Sequence, residues 1–472
     1  NSASSQSASL WAGAGTFTRA DDSSVPSTLK MTGAGKSLNY LSGEELGHLL
    51  IDNSSGTVTA SVLTGTNNLT VSSLTINDSS ASFTAPSGTL TIDNKVGDYA
   101  YDNDGAFVHS SGTMSITTSG TSRIDSNGTS GNINNLIYNS SGNTLETHTA
   151  TTLDGNLTIT AGTIDTLSSD NLALTVAGEL YMGGGTLNCN ASDVIVRNIY
   201  GHAGTLSAPS NSSTNGLEIT GKQPGGGLNN SNYSIYFVGT TLTNNDGLIV
   251  LSADENTFIR MPQTLANFKI RNDGSSTTRV HEFTMNFACD HNLTLENGSF
   301  QSYGATQTLT IGDDVLLTKG TLGRTSNTAD YSFQSLTLAA NGIFIAPSGT
   351  TTLTGEAAGY VLDNGGTFTH NNGTVKITCA TQTSARGLSG TSGLYNLTYA
   401  GSGTNEDLVL GANTDFYGQF IIDSANSAVQ AQGHTFNYYG PVIIKQGKWE
   451  IGSTTQNCYS GVRNIGGSVD IT

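Results

Sequence analysis

Charge, proline, cysteine and long apolar runs are all scarce in this chain. Only 11% of its 472 residues are Asp, Glu, Lys or Arg, about half the usual globular share. The 18 basic residues are outnumbered by 36 acidic ones, for a net charge of −18. No basic stripe exists, and a nucleic-acid groove needs clustered Lys and Arg to neutralise phosphates. The longest apolar runs, such as LGHLLI (Leu46 to Ile51) and YGPVIIK (Tyr439 to Lys445), span a few residues. A membrane-crossing helix needs ~20, so no membrane span is expected. Cys189, Cys289, Cys379 and Cys458 lie far apart with no CxxC pair, which excludes a zinc ribbon or a disulfide framework. They read as small apolar core side chains. No stretch keeps apolar residues at helical spacing with a cap, so very little helix is expected. The chain opens at Asn1 rather than Met and ends on SVDIT, the pattern of a processed or partial chain.

What fills the sequence instead is Gly, at 58 residues, with Ser, Thr and Asn. Gly has no triplet period and Pro numbers only 7, which excludes collagen. The order is repetitive. FTAPSGTLTI (Phe83 to Ile92) returns as FIAPSGTTTL (Phe344 to Leu353), displaced by 261 residues. The same displacement carries His109 onto His370, Ile116 onto Ile377, Leu136 onto Leu397 and Tyr138 onto Tyr399. Weaker copies follow the same order. A GTF-like segment appears at Gly15-Thr16-Phe17, Gly105-Ala106-Phe107, Gly239-Thr240-Thr241 and Gly366-Thr367-Phe368. Two later landmarks are Leu49, Leu136, Phe268 and Leu397, then Leu69, Leu157, Leu293 and Phe420. Successive members of these two sets stand 20, 21, 25 and 23 residues apart, the length of one solenoid coil.

Segments such as NLTIT and TLTIG alternate apolar residues with Thr, the period of a strand with one buried face. Gly, Asn, Asp and Ser clusters between them supply turns. The reading is all-β: an elongated right-handed parallel β-helix or β-solenoid of roughly 20 coils. One continuous solenoid over residues 1–472 is expected, in four degenerate modules (about 15–104, 105–237, 238–343 and 344–449). An irregular loop is expected near 190–232, where GKQPGGGLNNSN forbids a central strand, and an unfinished coil over 450–472. All eight landmark residues should point into the core, and Trp449, which matches Leu187 in the repeat, should join them.

Chemistry-bearing constellations are weak. The neighbouring acids Asp21-Asp22, Glu44-Glu45, Asp254-Glu255 and Asp313-Asp314 would point to opposite faces of a strand and cannot jointly flank a glycosidic bond. Asp98, Asp102, Asn103 and Asp104 loosely resemble a calcium loop but lack its spacing and closing Glu; the counterpart near Gly359 to Gly366 keeps only Asp363 and Asn364. His281, Cys289, Asp290 and His291 form the nearest approach to a mixed ligand set, with His291 at a turn position held elsewhere by Gly155 and Gly418. No metal or cofactor is expected. Sequons beginning at Asn53, Asn68, Asn127, Asn156, Asn292, Asn372 and Asn396 are best read as turn or ladder asparagines. Tyr99 and Tyr101 on one strand face, with Tyr233 and Tyr236 near the irregular loop, form the candidate binding surface, since exposed aromatic strips suit carbohydrate or protein contact.

The order GTFTHNNGTV (Gly366 to Val375), RGLSG (Arg386 to Gly390) and LYNLTY (Leu394 to Tyr399), closed by a strand of the NLTI type, resembles modules of large β-solenoid surface proteins. Those modules occur in bacterial adhesin-like proteins and in phage tail-fibre or appendage proteins. The resemblance covers roughly Gly15 to Trp449, and it implies a right-handed β-helix-like fold, a structural or attachment role and no catalytic residues. The expected function is a non-enzymatic extracellular fibre segment on a virion, with a bacterial or archaeal cell-surface adhesin or filament subunit as the rival. A polysaccharide-degrading enzyme on the same scaffold is the third reading. Expected partners are further fibre subunits or self-association through the solenoid ends, and a host surface glycan or protein. Terminal coils expose unpaired edges, so at least one end is expected to be covered in the native assembly.

Overall fold

The computed structural model describes residues 27–32, 35–40, 45–52, 56–62, 67–128, 130–210, 215–223, 232–272, 279–355, 360–378, 383–385, 393–401 and 407–470. Every regular element among them is a strand, and the strands pair in parallel from coil to coil. The fold is a β-solenoid of about 17 turns. The expected count was higher because some corner loops are long: Tyr200 stacks on Tyr236, 36 residues later. The chain comprises two compact units, Asn1–Gln223 with Ile235–Leu248, and Pro224–Ser234 with Ile249–Thr472.

In the first unit each coil contributes three strand segments, and alternation sends every second residue inward. One inward column runs Leu90, Met114, Leu136, Leu157, Leu180, Ile199. A second runs Leu145, Ile164, Leu187, Leu206, and a third Leu153, Val176, Val196, Ile219. All are buried, each such side chain contributing about 1.5–3 kcal/mol. The second unit is built likewise but with more aromatics. Phe268, Phe283, Phe287 and Phe300 interlock with centroids 5.0–5.9 Å apart. Phe416, Phe420 and Tyr438 cluster further along, and Trp449 packs edge-on against Tyr438. Thr89, Thr113 and Asn135 stack in one unit as Thr350, Thr374 and Asn396 do in the other, so the 261-residue displacement coincides with coil register.

All eight landmark residues are buried. Leu136 stacks on Leu157, Phe268 on Leu293 and Leu397 on Phe420. The first module departs from this rule: Leu49 stacks on Leu74, and Leu69 on Leu90. One further reading needs correction: 190–232 is not an irregular loop throughout. Val194–Ser207 is a 14-residue strand and Leu217–Ile219 another, because Val194, Val196, Ile199 and Leu206 each continue an inward column of the preceding coil. The Pro- and Gly-rich residues 224–231 lie outside the described residues, as do Phe17, Arg386 and Cys379. Within 450–472, Gln456–Cys458, Val462–Asn464 and Ser468–Asp470 all pair with the preceding coil.

Corners are where the sequence repeat becomes legible as chemistry. Asn135 Oδ1 accepts the N–H of Asn156 at 2.9 Å, and Asn156 Oδ1 that of Glu179 at 2.8 Å. Asn68 serves Thr89, and Asn396 serves Gln419, both at 2.8 Å. In each case the donor directly follows a glycine. A Cβ at Gly155, Gly178 or Gly418 would lie 2.2–2.3 Å from the hooking amide oxygen and 2.6–3.0 Å from a backbone oxygen of the preceding coil, so the hook is the closest obstacle to a side chain there. His109 and His370 close another corner: Nδ1 accepts the N–H of Ser111 at 2.8 Å and of Asn372 at 3.0 Å. Two left-handed residues follow each histidine, Ser110 and Ser111 or Asn371 and Asn372. The glycine after them, Gly112 or Gly373, would meet a proline carbonyl, Pro86 O or Pro347 O, if it carried a Cβ.

The hook makes a coupled prediction. Gly155→Ala should destabilise by about 1–3 kcal/mol, and Asn135→Ala by about 1 kcal/mol through the lost hydrogen bond. Combined, they should cost measurably less than the sum, since removing the amide vacates the space the new methyl needs. Denaturant unfolding of the four proteins checks this; simple additivity would show that the glycine is not there for the hook.

Candidate binding surfaces

The outward residues of a solenoid form columns, so its exterior chemistry is repetitive. In the first unit Thr121, Thr144, Thr163, Thr186, Thr205 and Thr241 stand one above another. Beside them runs a polar column in which Arg123 Nε donates to Glu146 at 2.9 Å and Asn188 Nδ2 to Asp165 at 2.8 Å. On another face, Tyr181, Tyr200 and Tyr236 stack with centroids 5.4 and 5.5 Å apart.

The four tyrosines singled out from the sequence do not form one surface. Tyr101 is wholly buried, at 0% exposure, and packs edge-on against Phe107. Its strand neighbours show why: Arg123 pairs with Tyr99 but Ile124 with Tyr101, so a bulge at Ala100 turns Tyr99 outward and Tyr101 inward. Tyr99 meets His148 edge-on, with its hydroxyl 3.3 Å from Nδ1. Tyr233 lies against Phe258 in the second unit, while Tyr236 ends the stack of the first.

Around Tyr99 the acids take different partners. Asp98 bonds Arg123 at 3.2 Å, and Asp125 approaches His148 at 3.6 Å. Burial, with Asp104 and Asp125 nearby, pushes the Asp102 carboxyl up to about 6. Asn103 is buried and accepts the N–H of Gly105. The would-be calcium loop therefore points its groups in different directions.

The His281 set is dispersed as well. His281 is buried between Thr257 Oγ1 at 2.9 Å and Asn272 Oδ1 at 3.2 Å. Cys289 lies in the core, where burial pushes its thiol well above the usual range. His291 sits at the corner, 2.9 Å from Asp313. Among the described residues no three His, Cys, Asp or Glu side chains are placed to share one ion. Adjacent acids also part company: Asp313 takes His291, and Asp314 accepts from Ser335. Asp254 takes Arg279. Asp21, Asp22 and Glu44 lie outside the described residues.

The most exposed aromatic array is one the sequence reading missed. Tyr417, Tyr439 and Tyr459 stand on three successive coils of the second unit, 37%, 44% and 64% exposed. Their rings stack almost parallel, at 5.5 Å and 8°, then 5.1 Å and 7°. His370 extends the column, stacking on Tyr395 and tilting against Tyr417. The signal was present as a motif: Asp415-Phe416-Tyr417-Gly418, Asn437-Tyr438-Tyr439-Gly440 and Asn457-Cys458-Tyr459-Ser460. The middle residue points inward and the tyrosine outward.

The chain matches no protein family, no curated protein and no solved structure in comparisons with each. Among the described residues no helix is long and apolar enough to cross a membrane.

Buried His281 carries a pH prediction. Desolvation lowers its pKa to about 4, from about 6.5 when unfolded. The folded state therefore binds fewer protons than the unfolded one, so its contribution is complete above pH ~6.5 and disappears as pH falls through about 4. Thermal unfolding should show this acid slope, and His281→Gln should flatten it.

Proposed function

We propose that this chain is a non-catalytic structural and attachment segment of an extracellular fibre, with a phage tail fibre or other virion appendage as the leading assignment. One observation carries the reading most: outward side chains are engaged laterally, coil to coil, as where Arg123 bridges Asp98 and Glu146 and Lys448 bridges Glu450 and Asp470. Catalysis of glycan cleavage needs two groups aimed at one bond, whereas a load-bearing shaft needs the lateral ladder. The low charge, the Thr and Asn columns and the exposed tyrosines fit a rigid surface that meets other molecules by repeated weak contacts. Its partners are then further coils or subunits along the axis and a glycan or protein on the target surface. An adhesin or filament subunit on a bacterial or archaeal cell is the same physical object in another setting.

Electron microscopy of native particles and cells, labelled with antibody to this chain, is the test. Label on a virion appendage is the expected result, label on cellular filaments moves the assignment to the adhesin, and exclusively soluble, unassembled protein overturns both. No turnover of neutral or acidic polysaccharides is expected. Cleavage abolished by Asp102→Asn, at the most perturbed exposed-face carboxyl, would replace the fibre reading with an enzyme.

A further inference from the structure

Two outward columns run side by side on the Asp-Phe-Tyr-Gly coils of the second unit. One is the tyrosine stack, Tyr417, Tyr439 and Tyr459. The other is Asp415, Asn437 and Asn457, in register on their strands. Asn437 Nδ2 donates to Asp415 Oδ1, and Asn457 Nδ2 to Asn437 Oδ1, both at 2.7 Å. Each amide has a second N–H and a further lone pair. Among the described residues none of the three tyrosine hydroxyls has a hydrogen-bonding partner. We propose that this face binds an extended, unbranched, uncharged polysaccharide laid along the coil-stacking direction, one sugar to a coil. The proposal rests on the attachment reading and names the partner.

Three features select that ligand. Because the rings cover one another's faces, what they offer outward is edges and hydroxyls, a row of polar groups with apolar flanks. The rows repeat at the inter-strand spacing of ~4.8 Å, whereas an extended peptide advances ~3.3 Å per residue and a polyproline helix ~3.1 Å. Either peptide meets only every second rung, three residues spanning ~9.9 or ~9.3 Å against ~9.6 Å; an extended β-linked hexose chain advances by nearly one rung per sugar and so can present a sugar to each. Charge decides the rest. The chain carries −18, and Asp415 lies close enough to Tyr439 to push its phenol up, so a polyanion is repelled. Mutual stacking also fixes the tyrosine rotamers before any ligand arrives, which lowers the ordering cost of binding.

The test uses the full 472-residue chain in affinity electrophoresis through hydroxyethyl cellulose, an unbranched β-linked glucan, with flexible dextran as comparison. Wild type should be retarded by the first and not by the second. Replacing Tyr417, Tyr439 and Tyr459 together by Phe keeps the stack and removes three hydroxyls. It should weaken retardation on the order of tenfold to a hundredfold, with an unchanged circular dichroism spectrum. If the triple variant misfolds, Tyr439→Phe is read instead and should weaken binding severalfold. No retardation of wild type, equal retardation in dextran, or undiminished binding by a folded variant overturns the proposal. Glycan failure with label still present on a fibre sinks this inference alone; glycan binding with no label on any particle or filament sinks the attachment reading alone.

Discussion

Everything in this molecule follows from how closely one coil sits on the next. Parallel strands pair at ~4.8 Å, so at each corner the backbone of one coil lies against the backbone of its neighbour. A Cβ at Gly440 would come within 1.9 Å of Gly418 O, and one at Gly312 within 2.0 Å of Asp290 O. Glycine is needed at these corners for approach rather than for an unusual φ. The amide hooks of Asn135, Asn156 and Asn396 occupy the same corners and satisfy N–H groups that the ladder leaves over. A chain so built needs few charges, because hydrogen bonds between coils hold it in register.

The same constraint decided what could be read from sequence. Inward columns were legible because a strand alternates strictly and a one-residue slip inverts its faces. Leu136, Leu157 and Leu293 could be placed inside on that ground alone. Coil length was less legible, since a corner can gain residues without disturbing the strands it joins, as between Tyr200 and Tyr236; column membership was less legible too, Leu49 lying in the column of Leu74 and Leu69 in that of Leu90. The bulge at Ala100 was invisible too: it depends on where Tyr99 and Tyr101 pair across to Arg123 and Ile124, a property of two coils together. The tyrosine stack was missed for a related reason. Its members lie 22 and 20 residues apart, so they are neighbours only once the coil period is applied to outward positions as well as inward ones.

Interior and corner positions are thus nearly fully specified by the fold, and variation is confined to the outward residue of each strand pair. A residue there does not act alone, because its nearest neighbours are its equivalents in the coils above and below. Thr121 to Thr241 and Tyr417 to Tyr459 are each one surface built by repetition, with the spacing set by the backbone. Such a surface is suited to a repetitive ligand and poorly suited to a reaction that needs different groups converging on one atom. Asp102 illustrates the limit: its environment perturbs it, but the column places Asp125 beside it and His148 one coil further on, all on one open face. Convergence would require a loop to fold over that face. Repetition along the axis therefore favours weak contacts multiplied by coil number, where affinity grows with the length of ligand engaged rather than with the strength of any one contact.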